Sequence, residues 1–168
     1  MIDGRAFHYT RYLDWLVTTP LLLLDLGGLC KIDSEETFML IALDILMVLA
    51  GLAGGLSEGR ACFLMWVLGC VFFLPIVYDL AFTFRTKAAA VGDTTAATYT
   101  KLMGLTIVLW VFYPIVFYFC EYLNAWSTTT EILAYGILDV TAKCVFGFIL
   151  LSSRDTLEQV SEGYQPVA

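Results

Sequence analysis

The sequence predicts an all-α membrane protein, a bundle of about five spanning helices, and three observations carry that reading. The 168-residue chain is 60% hydrophobic and only 15% charged, with mean hydropathy +0.80, well off the soluble average. Apolar runs long enough for a hydrocarbon core of ~30 Å recur at 9–29, 37–56, 61–84, 102–122 and 131–152. Between them lie short polar linkers, 30–36, 57–60, 85–100 and 123–130, which leave no room for a soluble domain. Residues 1–152 therefore read as one transmembrane bundle, and 153–168 as a polar, mildly acidic, disordered tail.

Each span carries a mark of its own. The first places Arg11, Asp14 and Asp25 around a leucine run, and the second holds Asp44 with Gly51 and Gly55 at small-xxx-small spacing, a sign of close helix packing. The third has Asp79 near its end, the fourth the aromatic run Trp110–Pro114, and the fifth Asp139 and Lys143 in mid-span. No secretory signal peptide is expected, because Met1–Thr10 carries Asp3, Arg5 and His8 and lacks an apolar core. Lys31, Arg85, Lys87, Lys101 and Arg154 fall on one side of a five-span topology, opposite Arg5 and Arg60. The positive-inside rule then makes this a multi-pass membrane protein with a cytoplasmic C-terminus. A net charge of −7 without a basic stripe argues against nucleic acid as a partner. The lipid bilayer is the expected partner, and a homo-oligomer is compatible with such a bundle. Five cysteines show no CxxC pair and read as small buried hydrophobes; with no HExxH, P-loop or GxGxxG motif, no metal site is expected.

Chemistry concentrates in two clusters. Lys143 lies on the order of 15 Å inside its span, too deep for its stem to reach the headgroups. Asp139, four residues earlier, shares its helix face. Such a pair is either a structural salt bridge between helices or a functional site. A desolvated lysine amine is what Schiff-base chemistry with a carbonyl cofactor requires. In the first span Asp14 and Asp25 are eleven residues apart, about 16 Å along the axis and close to three full turns. They share a face that a bilayer tolerates only inside a bundle. They read either as stations on a proton path or as hydrogen-bonded acids holding helices together.

The segments RYLDWLVTTPLLLLDL (Arg11–Leu26) and LDVTAKCVFGFILL (Leu138–Leu151) resemble the third and seventh helices of microbial (type 1) rhodopsins, most closely the bacteriorhodopsin-like and fungal or algal outward proton pumps. WVFYP at Trp110–Pro114 is similar to their sixth helix. The resemblance implies that Lys143 binds all-trans retinal as a Schiff base, with Asp14 and Asp139 as counterions and Arg11 beneath them. Asp14 becomes the primary proton acceptor and Asp25 the donor, and Thr18 completes the acceptor–threonine–donor trio of a proton pump. A chloride pump of the family replaces the acid at Asp14, and a sensor usually lacks the one at Asp25. Around the polyene the resemblance places Tyr12, Trp15, Thr19, Leu22, Met47, Gly51, Trp66, Phe73, Trp110, Tyr113 and Phe117, the last where tryptophan is common. Asp44 matches a position paired with Thr19, read as a structural hydrogen bond. Glu131 matches a proton-release glutamate, with Glu121 a looser second; both read equally well as solvated loop acids.

The family has seven helices, and this chain resembles only the last five. The expectation is a fragment of a light-driven outward proton pump, with its retinal pocket open to lipid and Asp139 short of one partner. The alternatives are a sensory photoreceptor and a truncated membrane protein that binds no retinal. No enzyme chemistry is expected.

Overall fold

The computed structural model describes residues 7–153 together with Glu158 and Ser161. Arg5, Arg154 and nearly all of the expected tail therefore lie outside the described residues, as does the disorder expected of that tail. Among the described residues the chain forms helices α1 (Thr10–Leu29), α2 (Ser34–Gly55), α3 (Gly59–Tyr78), α4 (Arg85–Val91), α5 (Asp93–Phe117), α6 (Thr128–Val140) and α7 (Phe146–Ser152). Three π-helical stretches widen this pattern: Asp79–Phe84 joins α3 to α4, Tyr118–Tyr122 extends α5, and Thr141–Val145 joins α6 to α7. The result is five membrane-length spans, Thr10–Leu29, Ser34–Gly55, Gly59–Val91, Asp93–Tyr122 and Thr128–Ser152. Consecutive spans alternate in direction. One end of the bundle gathers Lys31, Arg85, Lys87 and Lys101 and is called the basic end below; the other is the Glu131 end.

Local chemistry explains the boundaries. Asp33 precedes α2 in extended conformation, with Glu35 and Glu36 in its first turn, where acids suit the helix N-terminus. The Ser127 hydroxyl oxygen caps α6 by accepting from the Thr130 amide at 3.1 Å. α1 ends in a left-handed cap at Lys31 (φ 51°), with the Ile32 amide reaching back to the Gly27 carbonyl at 3.0 Å. The expected linker 85–100 is corrected: it is helical on both sides of Gly92, because Ala88–Ala90 favour helix and polarity alone does not end one. Gly92 makes the break, at φ 157° and ψ 162°, a conformation essentially reserved for glycine.

Packing separates a wet side from a dry one. The main core fills the half towards the basic end, with Leu23, Leu26, Leu80, Phe84, Tyr99 and Leu102 at 1% exposure or less. A second cluster of Tyr12, Val48, Cys62 and Phe117 lies towards the Glu131 end. The outer face of α3, from Leu64 through Leu68 and Val71 to Leu74, is exposed and apolar, as lipid contact requires. Gly51 lets α1 approach α2 closely, beneath the Tyr12 ring, and Gly55 lies beneath the Phe7 ring; α2 and α3 also pack closely. The close approach is at Gly54, where an added Cβ would sit 3.3 Å from Met65 Cβ, and at Gly69, 3.6 Å from the Met47 carbonyl.

Candidate retinal-binding site

Helical periodicity brings the predicted residues of α1 to one face. Tyr12, Trp15, Thr19 and Leu22 recur at spacings of three and four and look inward. Opposite them α5 presents Trp110, Tyr113 and Phe117, α2 presents Met47 and Gly51, and α3 presents Trp66 and Phe73. Together they line an open-sided cavity of about 850 Å³, open solvent included, with Lys143 and Asp139 at one end. Aromatic contacts stiffen the wall: Trp15 meets Tyr113 edge to face at 5.0 Å between centroids. The Trp66 indole donates to the Pro114 carbonyl at 2.9 Å. Gly51 leaves room where a Cβ would crowd the Tyr12 ring at 3.2 Å. Phe117 is buried, its ring tip 3.0 Å from where a Gly54 Cβ would stand, so this phenylalanine occupies the space of that missing side chain.

At the polar end, Lys143 Nζ is ion-paired with Asp14 Oδ2 and lies 3.5 Å from Asp139 Oδ1. Asp139 Oδ1 also accepts from Trp15 Nε1 at 2.9 Å and Tyr113 Oη at 2.8 Å. Whatever donor the open flank leaves out, this carboxylate is already held from α1 and α5.

The polar end of the pocket is open, as expected: the side chains of Lys143, Asp139 and Asp14 are 28, 26 and 48% exposed, on the flank between α1 and α6. The expectation that Asp14 and Asp25 share a face turned into the bundle is corrected. Asp25 is exposed too, because Leu22, Leu23 and Leu26 turn inward and leave it on the outer face of α1. Arg11 binds Glu131 at 2.6 Å and lies over the Tyr135 ring at 4.0 Å. Glu131, 1% exposed, is therefore no solvated loop acid. Thr18 bonds its own helix, donating to the Asp14 carbonyl at 2.9 Å. Asp44 is fully buried and accepts from Thr19 Oγ1 at 2.7 Å. Cys144 is exposed and Cys70 half-buried, unlike buried Cys30, Cys62 and Cys120.

Sequence reasoning missed Val48, Met65, Gly69, Cys70, Pro114, Tyr135 and Ala142 among the lining residues. Tyr135 was within reach, since it stands four residues from both Glu131 and Asp139 and so on their face.

A model of bacteriorhodopsin-like proteins matches residues 1–157. The chain belongs to the bacteriorhodopsin-like family. Archaerhodopsin-2 from Halobacterium sp. (strain aus-2) is 41% identical over 163 residues, covering 96% of this chain and 62% of that protein. A structure of the light-driven proton pump LR (Mac) from Leptosphaeria maculans superposes with TM-score 0.88 at 33% identity, covering 92% of this chain and 63% of the other. The light-driven chloride pump halorhodopsin superposes at 0.86 with 34% identity, covering 96% and 72%. This bacteriorhodopsin-like chain spans less than two thirds of the curated relatives it matches.

Retinal is the family's cofactor, and the donor set here fits it: one amine for an aldehyde, two carboxylates to balance the charge, and an apolar aromatic cavity beyond. Family members are light-driven pumps or photoreceptors rather than enzymes.

Proposed function

We propose that this chain is the retinal-holding part of a light-driven outward proton pump. The observation that carries the reading is Lys143 Nζ at the mouth of an aromatic cavity, paired to Asp14 on α1 and next to Asp139 on α6. The fold does not choose the ion, since proton and chloride pumps superpose on it almost equally well. Asp14 supports the proton: its carboxylate is paired with Lys143 Nζ, where an anion would balance the lysine charge, and it can take a proton as chloride cannot.

Lys143 Nζ is the attachment point for all-trans retinal. When bound, retinal supplies light absorption and an isomerisation that redirects the N–H at Lys143. The protein does the rest. Asp14 and Asp139 place their negative charges beside Lys143 Nζ. The Lys143 Nζ proton passes to Asp14 Oδ2, while Asp139 stays fixed by Trp15 and Tyr113. Arg11 and Glu131, joined at 2.6 Å, form the release station at the Glu131 end. Asp25, eleven residues towards the basic end, returns a proton to Lys143 Nζ. The basic end is cytoplasmic by the positive-inside rule.

Charged side chains at mid-span are costly against lipid, so the active assembly covers the flank between α1 and α6. The test adds all-trans retinal to the chain in lipid vesicles and reads visible absorbance and light-driven pH change. Absorbance lost in Lys143→Ala, with vesicle-side pH changes abolished by a protonophore, is the expected result. A pigment that moves chloride and no protons would overturn the assignment of the ion, and no pigment would overturn the whole reading.

A further inference from the structure

The half of the bundle between the cavity and the basic end is a dry plug of leucine and phenylalanine. One buried polar bond within it joins two spans. Tyr99 on α5, 0% exposed, donates its hydroxyl to the Leu80 carbonyl at 2.6 Å. Leu80 belongs to the π-helical stretch Asp79–Phe84, where the widened turn lets a carbonyl leave the regular ladder for an outside donor. α5 is built to pivot: Gly92 breaks the chain at its start and Pro114 lies within it beside the cavity. Another polar tie at this end, Lys87 to Glu36 at 2.5 Å and to Asp33 at 3.7 Å, is largely exposed and weakened by solvent. The buried Tyr99 bond has no such competitor.

We propose that Tyr99 is the pin that holds α5 shut against α3, a positioning residue that sets how often the dry half between the basic end and Lys143 opens. The role in proton uptake rests on the pump reading; the pin itself does not. Breaking the bond leaves the ring in place and lets the plug part more often.

Cys30 is a native reporter, 2% exposed and packed in the same cluster as Tyr99. Cys62 and Cys120, buried in clusters towards the other end, are internal controls. The experiment compares maleimide labelling of each cysteine, mapped by mass spectrometry, in the full chain and in Tyr99→Phe, both in lipid nanodiscs in the dark. The expected result is a roughly threefold to tenfold faster labelling of Cys30, the factor for one lost buried hydrogen bond, with Cys62 and Cys120 unchanged. In Tyr78→Phe, an exposed phenol one helix face away, all three rates stay at the native value. Equal Cys30 rates in the native chain and Tyr99→Phe overturn the proposal, and faster labelling of all three cysteines does so too, since it marks a general loosening. Where pigment forms, Tyr99→Phe speeds proton uptake after a flash by a similar factor. Where none forms, the pump reading fails and the dark labelling still decides the pin.

Discussion

Between Lys143 and the Glu131 end, polar groups follow one another: Asp14, Asp139 with its donors Trp15 and Tyr113, then Arg11 paired to Glu131. Between Lys143 and the basic end lie Leu23, Leu26, Leu80, Phe84 and Leu102, and the Tyr99–Leu80 bond. The first half offers a proton a chain of acceptors; the second offers hydrocarbon. In the pump proposed above, release would follow the polar half and uptake would wait on an opening of the other.

Replacing residues across that divide should break or sharpen the contrast. The largest effect belongs to Lys143→Ala, which removes the amine common to both halves; all visible absorbance on adding retinal should disappear, and a coloured product would remove Lys143 from the site. Asp14→Asn should abolish pumping and shift absorption to longer wavelength at neutral pH. An unchanged spectrum with intact pumping would strike Asp14 from the polar half.

On the other side, Asp25→Asn should slow return of the proton to Lys143 roughly a hundredfold, within the range for losing a positioned acid. Recovery should then depend on external proton concentration, and azide should restore much of the speed. Flash photolysis showing native recovery at every pH would make Asp25 an ordinary surface acid. A smaller change is expected from Glu131→Gln. It leaves Arg11 buried without its counter-charge, so the thermal midpoint should fall by several degrees and proton release after a flash should be delayed about tenfold. Release on time, followed with a pH dye, would take Glu131 out of the exit. Lys87→Gln should matter least: its partners Asp33 and Glu36 are exposed, and such pairs contribute little. A thermal midpoint indistinguishable from that of the native chain is expected, and a drop of several degrees would show that the basic end is held by more than Tyr99.

Much of the molecule was legible because helices repeat every 3.6 residues and membranes have a fixed thickness. Length and apolarity located five spans to within a few residues, except where α4 and α5 run through polar sequence around Gly92. The i, i+4 rule placed Asp139 beside Lys143, and three near-complete turns placed Asp14 and Asp25 on one face of α1. That periodicity did not say which way the face looks. Leu22, Leu23 and Leu26 took the interior, which left both acids outside.

The sequence by itself determined the elements, the aromatic lining and the charged residues that meet at Lys143, because these follow from local period, apolar run length and motif. The tertiary structure decided the partners: Arg11 with Glu131, 120 residues apart, Trp15 with Asp139, 124 apart, and Tyr99 with the Leu80 carbonyl in a π-helical stretch. Contacts between distant helices depend on how each helix rotates about its own axis. That rotation is set by the packing of all five spans together, and no single stretch of chain encodes it.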